Sequence, residues 1–295
     1  MDSLKKSFIF LHIAVFLFGF TGILGKLILL SALILVWWRA LITWLIILPR
    51  MFGKEGFRAI ELKSFKIFMS IGVIVGLHWI CFYGSIKLSN SSIAMICLAF
   101  IPIFTAFFES IFHRRPLKWL DIFTGLLCLP GMWMILQNIE VSFRIGFFVG
   151  ILSALLSACF ATLNKKYIHH SNPINITWIE LFSVWVFLTI LLPFLFAFDP
   201  NLKFLPSKMD LIYLFILSSV CTYVAYVLVI RSLKNLSAFS AMLTFNLEPV
   251  YGIIIAIVLL KEHKQLNPMF YLGVMIIMIS VFLHPLLAKR LRKND

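Results

Sequence analysis

The stretch GSIKLSNSSIAMICLAFIP at residues 84–102 has a counterpart 147 residues later, RSLKNLSAFSAMLTFNLEP at residues 231–249. Five of the 19 aligned positions are identical, and they include Lys, Met and Pro rather than the Leu and Ile that dominate the chain. The identical pairs are Ser85/Ser232, Lys87/Lys234, Ala94/Ala241, Met95/Met242 and Pro102/Pro249. A weak internal match of this kind is typical of a protein built from two structural repeats.

A second match supports the repeat. At an offset of 141, Trp37 aligns with Trp178 and Trp44 aligns with Trp185. We therefore expect a first repeat at residues 1–140 and a second repeat at residues 141–295.

The composition favours a membrane protein. Apolar residues make up 62% of the 295 positions and charged residues only 13%, with a mean hydropathy of +1.02. A bilayer-spanning helix needs about 20 mostly apolar residues. Ten apolar runs of this kind are bounded by charges, Pro or Asn: 7–25, 29–48, 66–86, 89–112, 118–137, 146–164, 174–198, 211–230, 236–260 and 268–287. The sequence thus predicts an all-α, polytopic protein with ten transmembrane helices.

The basic residues indicate how the chain is oriented. Of the 26 Lys and Arg, 18 flank the spans on one face and seven on the other, while Arg39 lies inside a span. Because the cytoplasmic face carries the excess, we expect both termini in the cytoplasm, at the bacterial cytoplasmic (inner) membrane. Five spans per repeat is an odd number, so the second repeat must cross in the opposite sense. The fold class is therefore two inverted five-helix repeats.

Three features carry a family resemblance: FGFTGILGK at 18–26, the intramembrane Arg39, and NLEPVYGIIIAIVLLKE at 246–262. In these features the chain resembles the EamA-type permeases of the drug/metabolite transporter superfamily, over essentially its whole length. The resemblance implies that spans 1–4 and 6–9 surround a central cavity, with spans 5 and 10 peripheral. It also implies efflux of amino acids or similar small metabolites.

Arg39 is the strongest single candidate for a functional residue. It lies about ten residues into the second span, where a charge costs about 2.5–3.5 kcal/mol on insertion scales, so it should face the interior and have a partner. Glu180 occupies the equivalent position of the second repeat, and we predict an Arg39–Glu180 charge pair. Glu248 is the alternative partner. A fixed ion pair that only joins helices is the structural alternative to a transport role.

Two prolines are expected to kink their helices. Pro102 and Pro249 each remove a backbone hydrogen bond within a span. Glu248, beside Pro249, would then face an opening in the helix. A Glu248 that binds and releases protons would allow proton coupling, whereas a Glu248 paired with Arg39 would stay ionised.

We predict a substrate cavity near the midplane, walled by aromatic rings and anchored by polar side chains. Its residues are Trp38, Arg39, Trp79, Tyr83, Tyr226, Asn246 and Glu248. The expected partners are a small-molecule substrate, moved by alternating access, and the lipid bilayer.

Other classes of function lack their sequence signatures. The five cysteines show no CxxC or Cys/His pattern, and there is no Walker A, HExxH or GxSxG motif, so we expect no metal, no cofactor and no enzyme. Nucleic acid is excluded because the +14 net charge comes from residues that flank apolar runs. The alternative function is a non-transporting membrane scaffold or lipid-handling protein. The sequence leaves the oligomeric state open.

Overall fold

The computed structural model describes residues 3–53, 56–57, 60–113, 119–245, 247–261 and 267–291. Within these ranges the regular structure is entirely helical, without a strand. Helices are the expected solution for an apolar chain, because each satisfies its own backbone hydrogen bonds without water.

Thirteen α-helices follow one another in the described residues. Those of the first half are α1 (Ser3–Leu27), α2 (Ala32–Met51), α3 (Leu62–Leu88), α4 (Ser91–Leu98), α5 (Ile101–His113) and α6 (Trp119–Asn138). Those of the second half are α7 (Arg144–Tyr167), α8 (Pro173–Phe198), α9 (Lys208–Ser218), α10 (Ala225–Leu233), α11 (Ala238–Phe245), α12 (Leu247–Ile255) and α13 (Pro268–Leu291). Short 3₁₀ turns precede and follow α7, at Val141–Phe143 and Ile168–His170. Turns of π-helix follow α9 and α12, at Ser219–Val224 and Ala256–Leu260.

Seven helical segments of the described residues are long and apolar enough to cross a membrane. They are Leu4–Leu27, Ala32–Met51, Leu62–Leu88, Ser91–Phe112, Val141–His170, Pro173–Phe198 and Lys208–Leu233. Two shorter apolar helices, Leu247–Leu260 and Pro268–Ile279, follow them. The all-α, multi-pass architecture is therefore confirmed, while the count of ten spans stays a prediction.

Pro102 lies just after a helix break. α4 ends at Leu98, and Pro102 is the second residue of α5. The helix thus stops four residues before the proline, at the residue whose carbonyl a proline ring would clash with. In the second half, Pro249 is the third residue of α12. Because the residue between α11 and α12, Asn246, lies outside the described residues, the kink at Pro249 stays a prediction.

Glycines of α1 allow its close packing on the neighbouring helices. A Cβ added to Gly22 would lie 2.5 Å from Met95 Cε of α4, and one added to Gly25 would lie 2.5 Å from Tyr83 Cε1 of α3. Both distances are far shorter than a normal carbon–carbon contact. The FGFTGILGK motif is therefore a packing surface at the centre of the helix bundle.

Helices of the two halves interleave around the centre of the molecule. α3 packs against α7 and α8, and α1 packs against α10 and α12. α6 and α13 pack mainly against each other instead. A Cβ on Gly131 of α6 would lie 2.7 Å from the Gly273 carbonyl oxygen, and a Cβ on Gly273 of α13 would lie 2.8 Å from the Gly131 oxygen. The two backbones are therefore in reciprocal contact.

Candidate functional site

A cavity lies at the centre of the bundle, between helices of both halves. Its volume, including its opening, is about 710 Å³. α1, α2, α3, α4, α5, α7, α10, α11 and α12 contribute to its lining, and no lining residue comes from α6 or α13. Most of the wall is apolar, with Phe18, Phe82, Phe160, Met242 and Phe245 among its larger side chains. The few polar groups in it are therefore the ones that can orient a ligand.

Arg39 supplies the positive charge of the cavity wall. Its side chain is 2% exposed, yet several of its donor groups are satisfied. Nε donates to Thr222 Oγ1 at 2.7 Å and Nη1 donates to Tyr83 OH at 2.7 Å. The guanidinium carbon also lies 3.8 Å from the centre of the Trp79 ring, within the range of a cation–π interaction. Hydroxyl groups and a ring face thus stabilise a buried cation without neutralising it.

Trp79 and Tyr83 reach Arg39 together because they are four residues apart on α3. Residues at this spacing lie on the same face of a helix, one turn apart. Both are buried, and Trp79 lines the cavity, while Tyr83 contacts Arg39 and is not part of the lining. Both aromatic residues of α3 that the sequence analysis assigned to the cavity wall therefore contact Arg39.

Thr222, the other partner of Arg39, was missed by the sequence reasoning. It lies in the π-helical turn Ser219–Val224, where its hydroxyl donates to Leu217 O, five residues back, at 2.6 Å. A hydroxyl has one proton to donate, so its oxygen is left to accept from Arg39. Turns of π-helix often occur at functional sites, but the letters SVCTYV give no signal for one.

Glu248 supplies the carboxyl group of the cavity wall. It is 6% exposed and interacts electrostatically with Arg39. Among the described residues, no ion pair within 4.0 Å joins it to Arg39. A buried cation and a buried carboxyl group therefore line one cavity without direct contact.

The predicted charge pair between Arg39 and Glu180 is not formed. Glu180 is 0% exposed and is not part of the cavity lining. Its Oε2 accepts a hydrogen bond of 2.5 Å from Tyr226 OH, and Tyr226 does line the cavity. The prediction was wrong because hydroxyl groups take the place of the expected partner: Thr222 and Tyr83 bind Arg39, while Tyr226 binds one oxygen of Glu180.

The two halves use the same positions for these contacts. Tyr226 is the counterpart of Trp79 at the offset of 147, and Glu180 is the counterpart of Arg39 at the offset of 141. In the first half the charged residue stacks on its aromatic neighbour, and in the second half it accepts a hydrogen bond from it. The pair Arg39–Trp79 therefore contains a cation, and the pair Glu180–Tyr226 contains a carboxyl group.

Trp38 is not brought to the cavity. Its indole Nε1 donates to Phe204 O at 2.9 Å, and its ring packs on Trp37 and Phe204. Successive residues of an α-helix point about 100° apart, and Trp38 is turned toward Trp37 and Phe204 rather than toward the cavity. Asn246 lies outside the described residues. Pro102 and Pro249 are both buried, and Pro102 follows the helix break described above.

Side chains close the end of the bundle at which α1 ends and α2 begins, which we term the α1–α2 end. Asp210 Oδ1 accepts from Leu29 N at 2.8 Å, and Lys87 Nζ donates to Ile28 O. Asp210 also accepts from Ser207 N at 3.0 Å and lies 3.6 Å from Lys203 Nζ. The α1–α2 loop is therefore attached to both α3 and α9.

Side chains also join the helices at the opposite end of the bundle. Lys165 Nζ donates to Leu233 O at 2.6 Å, and Ser232 Oγ donates to Ser7 O at 2.9 Å. Ser64 Oγ donates to His170 O at 3.3 Å, and His170 is the counterpart of Leu29 at the offset of 141. Lys234, the counterpart of Lys87, is exposed. The cavity extends toward this end, because its lining includes Asn164 and Leu233, near the C-termini of α7 and α10.

Apolar helices long enough to span a bilayer surround a central, mostly apolar cavity with a few polar groups, which defines a multi-pass membrane protein. A sequence model described as the EamA-like transporter family matches residues 5–137 and 144–284. The chain belongs to this family, and it is accordingly a membrane transporter of the drug/metabolite type, acting on small molecules within a lipid bilayer. The family is one of transporters rather than enzymes.

A comparison of folds agrees with this assignment. A protein of known crystal structure superposes with a TM-score of 0.68 at 11% sequence identity, covering 97% of this chain and 99% of the other. At that identity the likeness concerns the fold alone. No curated protein gives a significant match in sequence.

Proposed function

We propose that the protein is a permease, working as an exporter, that carries small zwitterionic metabolites such as amino acids by alternating access. The observation that carries this proposal is the presence of Arg39 and Glu248 in one cavity wall without an ion pair between them. A ligand with a carboxylate and an ammonium group would compensate both charges at once. Such compensation matters because an unpaired charge is costly inside a membrane protein.

The hydrogen bonds of Arg39 leave room for a ligand carboxylate. A guanidinium group has five N–H donors, and the two bonds to Thr222 and Tyr83 leave others for the cavity. The Glu248 carboxylate would accept the ligand ammonium group. The apolar side chains Phe82, Phe160 and Phe245 would then surround a side chain of the same character. Amino acids with apolar side chains fit this arrangement.

The position of the cavity along the bundle supports alternating access. Lys87 and Asp210 attach the loop at the α1–α2 end, and the cavity extends away from that end, toward the C-termini of α7 and α10. The distribution of basic residues favours a cytoplasmic location for that second end and for both termini, in a bacterial inner membrane. An exporter in this conformation would load its substrate from the cytoplasm.

Two inverted repeats, residues 1–140 and 141–295, would account for the switch between conformations. The internal sequence match that ends at Pro102 and Pro249 supports such a repeat, as do the two separate family matches. Rocking of one half against the other would then open the α1–α2 end while closing the opposite one.

Counterflow in proteoliposomes tests the substrate class, because exchange of labelled for unlabelled substrate needs no driving force. We expect saturable exchange of labelled leucine, lost in Arg39→Met and in Glu248→Gln. Arg50→Met is the matched control, since Arg50 lies in the last turn of the same helix, outside the cavity lining. Leucine methyl ester, which lacks the carboxylate, should compete poorly. Equal competition by the ester would contradict the assignment of Arg39.

The scaffold or lipid-handling alternative makes a different prediction. Folded parent protein would exchange no amino acid, and Glu248→Gln would change the thermal unfolding temperature without changing any flux. The same set of measurements therefore separates the two functions.

Cysteine labelling tests alternating access. The five native cysteines are first changed to alanine. Leu30, which is 2% exposed and lies in the α1–α2 loop that Lys87 and Asp210 hold, is then replaced by cysteine. We expect Lys87→Met to speed the reaction of Cys at this site with a membrane-impermeant maleimide added from outside whole cells. Lys203→Met, which removes a half-exposed lysine of the same region, is the control. Equal labelling rates in the Lys87→Met and Lys203→Met variants would argue against a role of Lys87 in holding the α1–α2 loop.

A further inference from the structure

We propose that Glu180 is a proton-binding site connected to the cavity through Tyr226, and that it couples transport to proton movement. This inference rests on the proposed function for its link to transport, while the proton site itself can be tested without a substrate. It assigns the coupling proton to Glu180 and leaves Glu248 to the substrate.

The surroundings of Glu180 favour a neutral carboxyl group. Its side chain is 0% exposed, and one oxygen, Oε2, accepts from Tyr226 OH. The other oxygen, Oε1, has no hydrogen-bond partner in the described part of the chain. An ionised carboxylate buried with one neutral donor would be costly. In this conformation the carboxyl group is therefore protonated.

The Asn164 side chain supports that assignment. It interacts with Glu180, and its Nδ2 donates to Tyr226 OH at 3.5 Å. Its own oxygen, Oδ1, lacks a donor among the described residues, just as Glu180 Oε1 lacks a partner. Both side chains bond Tyr226 OH, so they lie in one region of the interior. A proton on Oε1 would add a donor to that region, where Asn164 Oδ1 is a buried acceptor without one.

No cation among the described residues forms an ion pair with Glu180 that would stabilise its carboxylate instead of a proton. α2, α3 and α10 pack against α8, and Asn164 approaches from α7. The titratable groups in the middle of these four helices are Arg39, His78, Cys81, Tyr83, Cys159 and Tyr226. Of these, Tyr226 interacts with Glu180; Arg39 is held by Thr222 and Tyr83, and His78 by Ser153. The lysines and arginines near the helix ends form no described ion pair with Glu180.

Tyr226 provides the route between Glu180 and the cavity. It lines the cavity, whereas Glu180 lies behind it. A phenol hydroxyl both donates and accepts, so after rotation it can accept the Glu180 proton while giving its own proton to a water in the cavity. The carboxylic acid becomes a carboxylate, the tyrosine is unchanged, and one proton leaves with the water. Re-protonation follows the same steps in reverse.

The π-helical turn between α9 and α10 connects this proton site with the substrate site. Thr222, within the turn, binds Arg39, and Tyr226, four residues further on, binds Glu180. A movement of this turn would change both contacts at once. Proton occupancy of Glu180 and the access state of the cavity would then depend on each other.

Infrared spectroscopy of the purified full-length protein in detergent tests the proton site without a substrate. At neutral pH we expect the C=O stretch of a protonated carboxyl group, and loss of its Glu180 component in Glu180→Gln. The amide is nearly the same size as the protonated acid, so this variant should fold, which gel filtration and thermal unfolding would verify. Glu248→Gln identifies any component from Glu248. An unchanged spectrum in Glu180→Gln would overturn the proposal.

Transport of labelled leucine in proteoliposomes tests the coupling. Parent protein should accumulate leucine against its gradient when a pH gradient is imposed, and Glu180→Gln should lose this accumulation while retaining counterflow. Tyr226→Phe, which removes the hydroxyl group between Glu180 and the cavity, should slow the accumulation. Full accumulation of leucine by Glu180→Gln would overturn the coupling. A parent protein without leucine counterflow would instead contradict the proposed function. In that case the infrared measurement alone would decide whether Glu180 binds a proton.

Discussion

Replacing Gly72 with alanine is expected to destabilise the protein, while the same replacement at Gly76, one turn further along α3, is not. A Cβ on Gly72 would lie 2.5 Å from the Glu180 carbonyl oxygen and 2.9 Å from Glu180 Cα. Carbon–oxygen contacts are normally about 3.3–3.6 Å, so the α8 backbone would have to move by about 1 Å. A Cβ on Gly76 would meet Val184 Cγ1 at an ordinary 3.4 Å.

The expected free-energy changes differ in sign. Forcing extra atoms into a well-packed interior costs about 1–3 kcal/mol, and Gly72→Ala should be near the upper end because the obstacle is backbone rather than a flexible side chain. Gly76→Ala should gain about 0.5–1 kcal/mol from the lower conformational entropy of the unfolded chain. For domains of 150–250 residues, 1 kcal/mol shifts the unfolding midpoint by about 2–4 °C.

Thermal unfolding of the purified variants in detergent measures the difference. The apparent midpoint of Gly72→Ala should fall by several degrees, and that of Gly76→Ala should stay or rise. Because both changes add one methyl group to the same helix, a general effect of alanine in α3 would shift both equally. Equal shifts, or an unchanged Gly72→Ala, would refute the close α3–α8 contact.

Two further changes test contacts around the site by the same measurement. Thr222→Val removes the acceptor of Arg39 Nε and should cost about 1.5–3 kcal/mol, the range for a hydrogen bond to a charged group. Thr222→Ser keeps the hydroxyl group and is the control. Equal unfolding midpoints for the two variants would contradict this role of Thr222. Asp210→Ala removes the acceptor of Leu29 N and Ser207 N and should cost about 1–3 kcal/mol. Lys203→Ala should cost less than about 1 kcal/mol, because the lysine is 52% exposed. Comparable losses of stability in the two variants would mean that the ion pair, rather than the hydrogen bonds, holds the loop.

Much of the architecture follows from the sequence. Apolar runs separated by charges are enough to predict an all-helical membrane protein, since a bilayer leaves few other ways to satisfy the backbone. The helix break before Pro102 follows from the proline itself. The interior position of Arg39 follows from the cost of placing a charge among lipids.

The partners of Arg39 could not be predicted in this way. Equivalence in a repeat says which residues correspond, but it does not say how far apart they lie. Glu180 is the counterpart of Arg39, yet its hydrogen bond goes to Tyr226. Thr222 depends on a π-helical turn whose position reflects tertiary packing rather than local sequence. Trp38 was placed on the wrong face because it adjoins Arg39 in the chain.

The reciprocal contact between Gly131 and Gly273 has a geometrical consequence for the proposed rocking. One of these two helices belongs to each half, and neither contributes a described residue to the cavity lining. The close α6–α13 contact therefore joins the halves at a place away from the cavity. In the proposed rocking, this contact would move least, and the loops farthest from it would move most.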